Sequence, residues 1–168
     1  MFLNPQELLD KKIITYPENI NIKDHLQQNG LDVDALTVFN INSKSWNIIG
    51  KEKSIKVNSL VHELDHISQL GKEGWMLRKG EAYTFDSSFK INIPEGMCGW
   101  VIGRSTFNRQ GILIRSSLFD SGFSGSVGAT IYCFNNVAIE EGVRVGQFVM
   151  CKAENASLYK GQYMHRGL

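Results

Sequence analysis

From Trp75 to Ala153 the chain alternates short apolar runs with polar breaks. GWMLRKGEAYTF, FKINIP, CGWVIG, GILIRSS, SVGATIYCFN and RVGQFVMCKA are rich in β-branched and aromatic residues, and Gly, Pro, Asn or Ser separates them. That is the pattern of strands joined by tight turns. Two earlier passages, LDVDALTVFNI at 31–41 and WNIIG at 46–50, also read as strands. A helical start is written once, near the beginning. Asn4 is placed to cap it, Pro5 takes the first helical position, and Leu8 and Leu9 supply an apolar side before Lys11-Lys12. Residues 54–71 are ambiguous. SLVHELDHISQLG sets Leu60, Leu64 and Ile67 on one side of an amphipathic helix, if a helix forms. The whole predicts a mostly-β domain: a sandwich, a jelly roll or a closed barrel.

Composition narrows the class of protein. The 168 residues carry 18 basic and 17 acidic side chains, a formal charge of +1, and 42% are hydrophobic. Such a balance argues against a nucleic-acid coat or a membrane-surface protein, yet leaves room for a small anionic ligand held by a few cations. The three cysteines, Cys98, Cys133 and Cys151, are widely spaced without a CxxC pair, and read as small buried hydrophobes in a reducing compartment. The opening MFLNPQELLDKK has no signal-peptide core and no stretch approaches a membrane span, which predicts a cytoplasmic setting.

Two passages hold more chemistry than a β domain requires. GRSTFNRQG at 103–111 gathers Arg104, Ser105, Thr106 and Arg109 in one turn. Guanidinium groups with small hydroxyls and exposed backbone N–H groups suit phosphate oxygens, although a solvated turn has the same composition. FDSGFSGSVG at 119–128 sets Asp120 between Phe119 and Phe123, with Gly122 and Gly125 free to fold around it. A carboxylate between aromatics is a candidate general base, and Phe123 a platform for a sugar; the plain alternative is an Asx-type hairpin turn.

In order, GRSTFNRQGILIRSSLFDSGFSGSVG followed by RVGQF resembles the dUTPase and dCTP deaminase superfamily, in its deaminase-like branch. The family's Gly-Arg-Ser, Asp-x-Gly-aromatic-x-Gly and Gly-Gln motifs correspond to 103–105, 120–125 and Gly146-Gln147. QQNGLDVDAL resembles the early acidic motif, with Asp32 as its acid and Asp34 the lesser match; KINIPEG fits the strand-Pro pattern before the Arg-Ser turn; LYKGQYMHR resembles the C-terminal arm. The resemblance implies a dUTPase-like distorted β-barrel or jelly roll with one or two short helices. It implies one domain over 1–168, residues 157–168 being an arm over the active site, and a homotrimer with sites at subunit interfaces. It makes Arg104 and Ser105 triphosphate ligands assisted by Thr106, with Arg109 orienting water or a phosphate. Asp120 becomes the base that activates water against the α-phosphorus. Phe123 lies against deoxyribose, Gln147 contacts the phosphates, and Tyr159, Gln162, Tyr163 and Arg166 close over the nucleotide. Mg²⁺ is then held mainly by triphosphate and water, with Asp32 nearby through a water.

Within the family, the deaminase branch places a glutamate ten residues after the motif Asp; here that position is Thr130, whose hydroxyl does not ionise near neutrality. This favours hydrolysis. The segment before Asp120 is shorter than in deaminase-branch members, and SSLF replaces the small-residue hairpin that reads the base. dUTP is the first choice of substrate, with dCTP or a modified pyrimidine triphosphate as alternatives. A dCTP deaminase, or a nucleotide-sensing regulator of the same fold without turnover, are the further readings. One motif points elsewhere. HELDH at 62–66 matches HExxH, with His62 and His66 as zinc ligands and Glu63 as base, in the manner of peptide deformylases. The deformylase cysteine should precede this motif, yet all three cysteines follow it.

Overall fold

Asn4 caps the first helix as its sequence predicts: Oδ1 accepts from the Gln6 N–H at 2.9 Å, Pro5 opens helix α1 (Pro5–Asp10), and Leu8 is buried. The computed structural model describes residues 1–41, 48–49, 54–55, 60–154 and 157–161. After α1 come β1 (Ile14–Thr15), a 3-10 turn at Ile22–Asp24, β2 (Leu31–Asp34) and β3 (Thr37–Asn40). Five short strands follow: β4 (Ile48–Ile49), β5 (Ser54–Ile55), β6 (Leu60–Val61), β7 (Asp65–Ile67) and β8 (Lys72–Leu77). The framework is completed by β9 (Ala82–Asn92), β10 (Met97–Gly103), helix α2 (Ser105–Arg109), β11 (Ile112–Arg115), β12 (Ser124–Cys133), β13 (Val137–Glu140) and β14 (Arg144–Lys152).

Among the described residues these strands form an antiparallel nine-stranded sheet in the order β2-β14-β10-β11-β12-β9-β3-β6, with β1 also paired to β9. The described residues also form a three-stranded sheet, β13-β8-β7, and a β4–β5 ribbon. The alternation in sequence becomes an alternation in burial. Gly125, Val127, Ala129, Ile131 and Cys133 of β12 point inward, whereas Ser126, Gly128, Thr130 and Tyr132 face the other way. Trp75, Leu77 and Ile139 of the smaller sheet share one core with Tyr83, Phe85, Phe89 and Phe148 of the larger. The chain is thus a mostly-β fold with two short helices among the described residues.

The structure corrects several local expectations. Residues 60–67 are not a helix. Leu60 and Val61 pair with β3, Asp65 to Ile67 pair with β8, and of the apolar stripe only Ile67 is buried. FKINIP is not a separate strand but the end of β9, and the turn at 105–109 is one helical turn. The widely spaced cysteines are not all isolated: Cys98 and Cys151 face each other across β10 and β14, with sulfurs 3.7 Å apart. No described helix is long and apolar enough to cross a membrane.

Candidate functional site

The predicted phosphate ligands gather at one end of β10. Arg104 caps α2 and is tied to the sheet by its N–H, which donates to the Val145 carbonyl at 3.2 Å. Ser105 and Thr106 are exposed in the first turn of α2, and Arg109 is exposed at its end. Gln147 is register partner both to Ile102 of β10 and to Asp32 of β2, which brings it beside the same end. Asp32 is fully buried there. Its Oδ2 lies 3.6 Å from Arg104 Nε and 3.6 Å from Arg144 Nη1, and accepts from Gln27 Nε2 at 3.2 Å. Oδ1 is buried with no hydrogen-bond partner among the described residues.

The buried carboxylate of Asp32 thus lies against both guanidiniums and braces them. Arg144 is the residue that sequence reading missed. Its guanidinium donates to the Asp24 carbonyl, and Arg104 Nη1 donates to the Arg144 carbonyl at 3.0 Å. The available signal was its place in RVGQ, on the same strand as Gln147. Asp34, the lesser candidate, is a buried clasp that accepts from Ser87 Oγ at 2.5 Å, Ser88 N at 3.0 Å and Ser88 Oγ at 2.7 Å.

Asp120 lies near the other end of β10. Phe119 exchanges backbone hydrogen bonds with Gly99, at 2.7 and 3.0 Å, and Ser121 Oγ donates to the Met97 carbonyl at 2.6 Å. The Asp120 carbonyl accepts from Phe123 N, closing a turn in which Gly122 takes φ +84°, a conformation that favours glycine. Asp120 itself is exposed, not wedged between rings as expected. Phe119 and Phe123 pack against each other at a tilt, ring centroids 5.2 Å apart, and Tyr159 meets Phe123 edge-on at 5.6 Å. Tyr159 is fixed there by its N–H, which donates to the Ser121 carbonyl at 2.7 Å. Gln162, Tyr163 and Arg166 lie outside the described residues.

Asp120 and Arg104 are therefore not brought together within one chain. Six residue steps along β10 lead from Cys98, beside Asp120, to Arg104, a span of about 20 Å. Next to the aromatic group opens a cleft of about 920 Å³ whose lining includes Phe119, Phe123, Tyr159, Thr130, Thr84, Asp86 and Arg115. Thr130 is paired with both Thr84 and Arg115, so the position where the deaminase branch has its glutamate lies in the cleft wall without an acid.

Among the described residues the HELDH histidines are not arranged as a zinc site. His62 Nε2 donates to the Met76 carbonyl at 3.2 Å, and His66 on β7 pairs with Glu73 at 3.0 Å. Residues 60–61 and 65–67 are separate strands, so the two histidines do not share a helical face. No described group of three His, Cys, Asp or Glu residues is arranged to hold a metal.

Comparison with known proteins agrees with this architecture. Over 147 residues the chain is 27% identical to a Methanopyrus kandleri protein named probable deoxyuridine 5'-triphosphate nucleotidohydrolase, covering 84% of this chain and 88% of that protein. An 83-residue stretch is 29% identical to a Halobacterium salinarum protein of the same name, covering 49% of this chain and 50% of the relative. The fold is similar to that of a 2'-deoxycytidine 5'-triphosphate deaminase from Agrobacterium tumefaciens, with a TM-score of 0.65 at 14% identity, covering 89% of this chain and 47% of that one. The chain thus spans about half the length of these last two proteins. Residues 6–153 match the profile of the dCTP deaminase-like family, and the chain belongs to that family.

Proposed function

We propose that the protein hydrolyses a deoxyribonucleoside triphosphate, dUTP first, to the monophosphate and pyrophosphate, at sites shared between copies in a homotrimer. The observation that carries this reading is the division of the predicted residues into two ends of β10. A phosphate end holds Arg104, Ser105, Thr106, Gln147 and the braced Arg144; a nucleoside end holds Asp120, Phe123 and Tyr159. Each end is chemically coherent but incomplete, and a second copy supplies what the first lacks.

In the assembled site Arg104 and Ser105 bind the triphosphate, with Thr106 assisting and Arg109 orienting water or a phosphate oxygen. Asp120 takes a proton from water as its oxygen bonds to the α-phosphorus; the bond from that phosphorus to the bridging oxygen breaks, and pyrophosphate leaves. Phe123 packs on deoxyribose, where a 2′-hydroxyl clashes. Tyr159 begins the arm that Gln162, Tyr163 and Arg166 continue. Mg²⁺, held mainly by the triphosphate and water, would supply charge neutralisation. Thr130 in the cleft wall favours hydrolysis over deamination.

The test is pyrophosphate release from a panel of dNTPs with Mg²⁺. Turnover of dUTP is expected, with at least about a hundredfold loss in Asp120→Asn. Ammonia release from dCTP would instead indicate a deaminase, and nucleotide binding without turnover a regulator.

A further inference from the structure

Where the deaminase branch carries its acid the cleft has Thr130, yet the wall is not without a carboxylate. Asp86 of β9 supplies one. β9 and β12 pair from Tyr132↔Ala82 through Gly128↔Asp86, and again from Ser126↔Lys90, so β9 bulges outward over Ser87 to Phe89. Bulges turn side chains away from the ordinary pleat and recur beside active sites. This one is locked from below by Asp34, which accepts from Ser87 Oγ, Ser88 N and Ser88 Oγ. On the other side, the Asp86 carbonyl accepts from Leu36 N at 3.0 Å.

The result is visible at Gly128. A Cβ there would stand 2.5 Å from the Phe85 carbonyl oxygen and 3.0 Å from Asp86 Oδ1. The glycine lets β9 approach, and the Asp86 carboxylate leans over the space a side chain would fill. Among the described residues lining the cleft Asp86 is the one acid and Arg115 the one base, separated across the wall by the Thr84–Thr130 pair. An acceptor-only group and a donor-only group on one wall match a heterocycle edge that presents an N–H beside a carbonyl.

Resting on the proposed reading, we infer that Asp86 determines base specificity: it accepts the N3–H of the pyrimidine, while Arg115 donates to the adjacent carbonyl. The bulge clasped by Asp34 is the device that aims it.

The test compares dUTP with N3-methyl-dUTP in the wild type, Asp86→Ala and Asp86→Asn. The wild type is expected to prefer dUTP by about thirtyfold or more in kcat/KM, because a methyl group at N3 removes the donor and meets the Asp86 carboxylate in its place. In Asp86→Ala the KM for dUTP rises about tenfold, kcat stays within about threefold, and the two substrates converge. Asp86→Asn keeps the shape of the side chain and serves if the alanine variant fails to fold; it raises the KM about fivefold and narrows the preference. An unchanged preference in a folded variant overturns the assignment of Asp86 while leaving dUTP hydrolysis intact. A wild type that neither binds nor cleaves dUTP overturns the underlying reading and this inference with it.

Discussion

Asp32 and Arg104 form an ion pair, Oδ2 to Nε at 3.6 Å, in which the carboxylate is fully buried while the guanidinium is about 30% exposed. Arg144 reaches the same oxygen at 3.6 Å. The carboxylate holds both arginines at the mouth of α2, and neutralising it leaves two cations facing each other. Asp32→Asn is expected to cost about 3 kcal/mol of stability, at the low end for a broken buried pair because both arginines touch water. Urea unfolding reads this directly. In the folded fraction the KM for dUTP rises, since Arg104 is no longer braced; an unchanged KM would remove the positioning role from Asp32.

The separation of Arg104 from Asp120 makes a different kind of experiment possible. Arg104→Ala and Asp120→Asn chains are each expected to be nearly inactive. Unfolded together in equal amounts and refolded, they should regain about a quarter of wild-type turnover, because a site drawing its arginine and its aspartate from different copies is intact in one random draw of four. Failure to recover any activity, with trimers formed, would put both residues in a single-chain site.

Alkaline pH probes the core. Burial, reinforced by Glu81 accepting its hydroxyl at 2.6 Å, pushes the Tyr83 phenol up to about 12. Burial, with a smaller contribution from Glu81, pushes the Cys133 thiol up to about 11. Both groups stay neutral in the fold longer than in the unfolded chain, which begins to lose these protons from about pH 8. Their contribution is complete below that pH and is lost as pH rises through about 11 to 12, each tenfold difference in proton affinity between fold and unfolded chain being worth about 1.4 kcal/mol. Urea midpoints should fall steeply between about pH 8 and 12, and less steeply in Tyr83→Phe.

The HELDH segment is expected to be catalytically silent. His62→Ala and His66→Ala should leave dUTP turnover unchanged, and metal analysis of purified protein should find no stoichiometric zinc. Loss of the exposed His66–Glu73 pair should change stability by less than about 1 kcal/mol.

These outcomes bear on what a sequence can disclose. Strand alternation made most of the large sheet legible, because period-two patterning is local and β12 buries every second residue along its length. Asn4 and Pro5 announced α1 for the same reason. Residues 60–67 misled because Leu60, Leu64 and Ile67 fit helical spacing, and only the distant partners β3 and β8 decide for strands. STFNR hid a helix since a single turn is too short to show a period. For the candidate site, motif order pointed to Arg104, Asp120 and Gln147, which the fold sets along β10 and its neighbours. Arg144 and Asp86 escaped because each owes its place to pairing with residues far along the chain: Asp32 for one, Gly128 for the other.

A site divided between the ends of β10 also has a consequence for quantity. If neither half works alone, a dilute solution of well-folded chains is idle, and specific activity climbs with protein concentration until assembly is complete. On the proposed reading, total hydrolytic capacity then rises faster than in proportion to the number of chains present, so scarcity silences the site without any inhibitor.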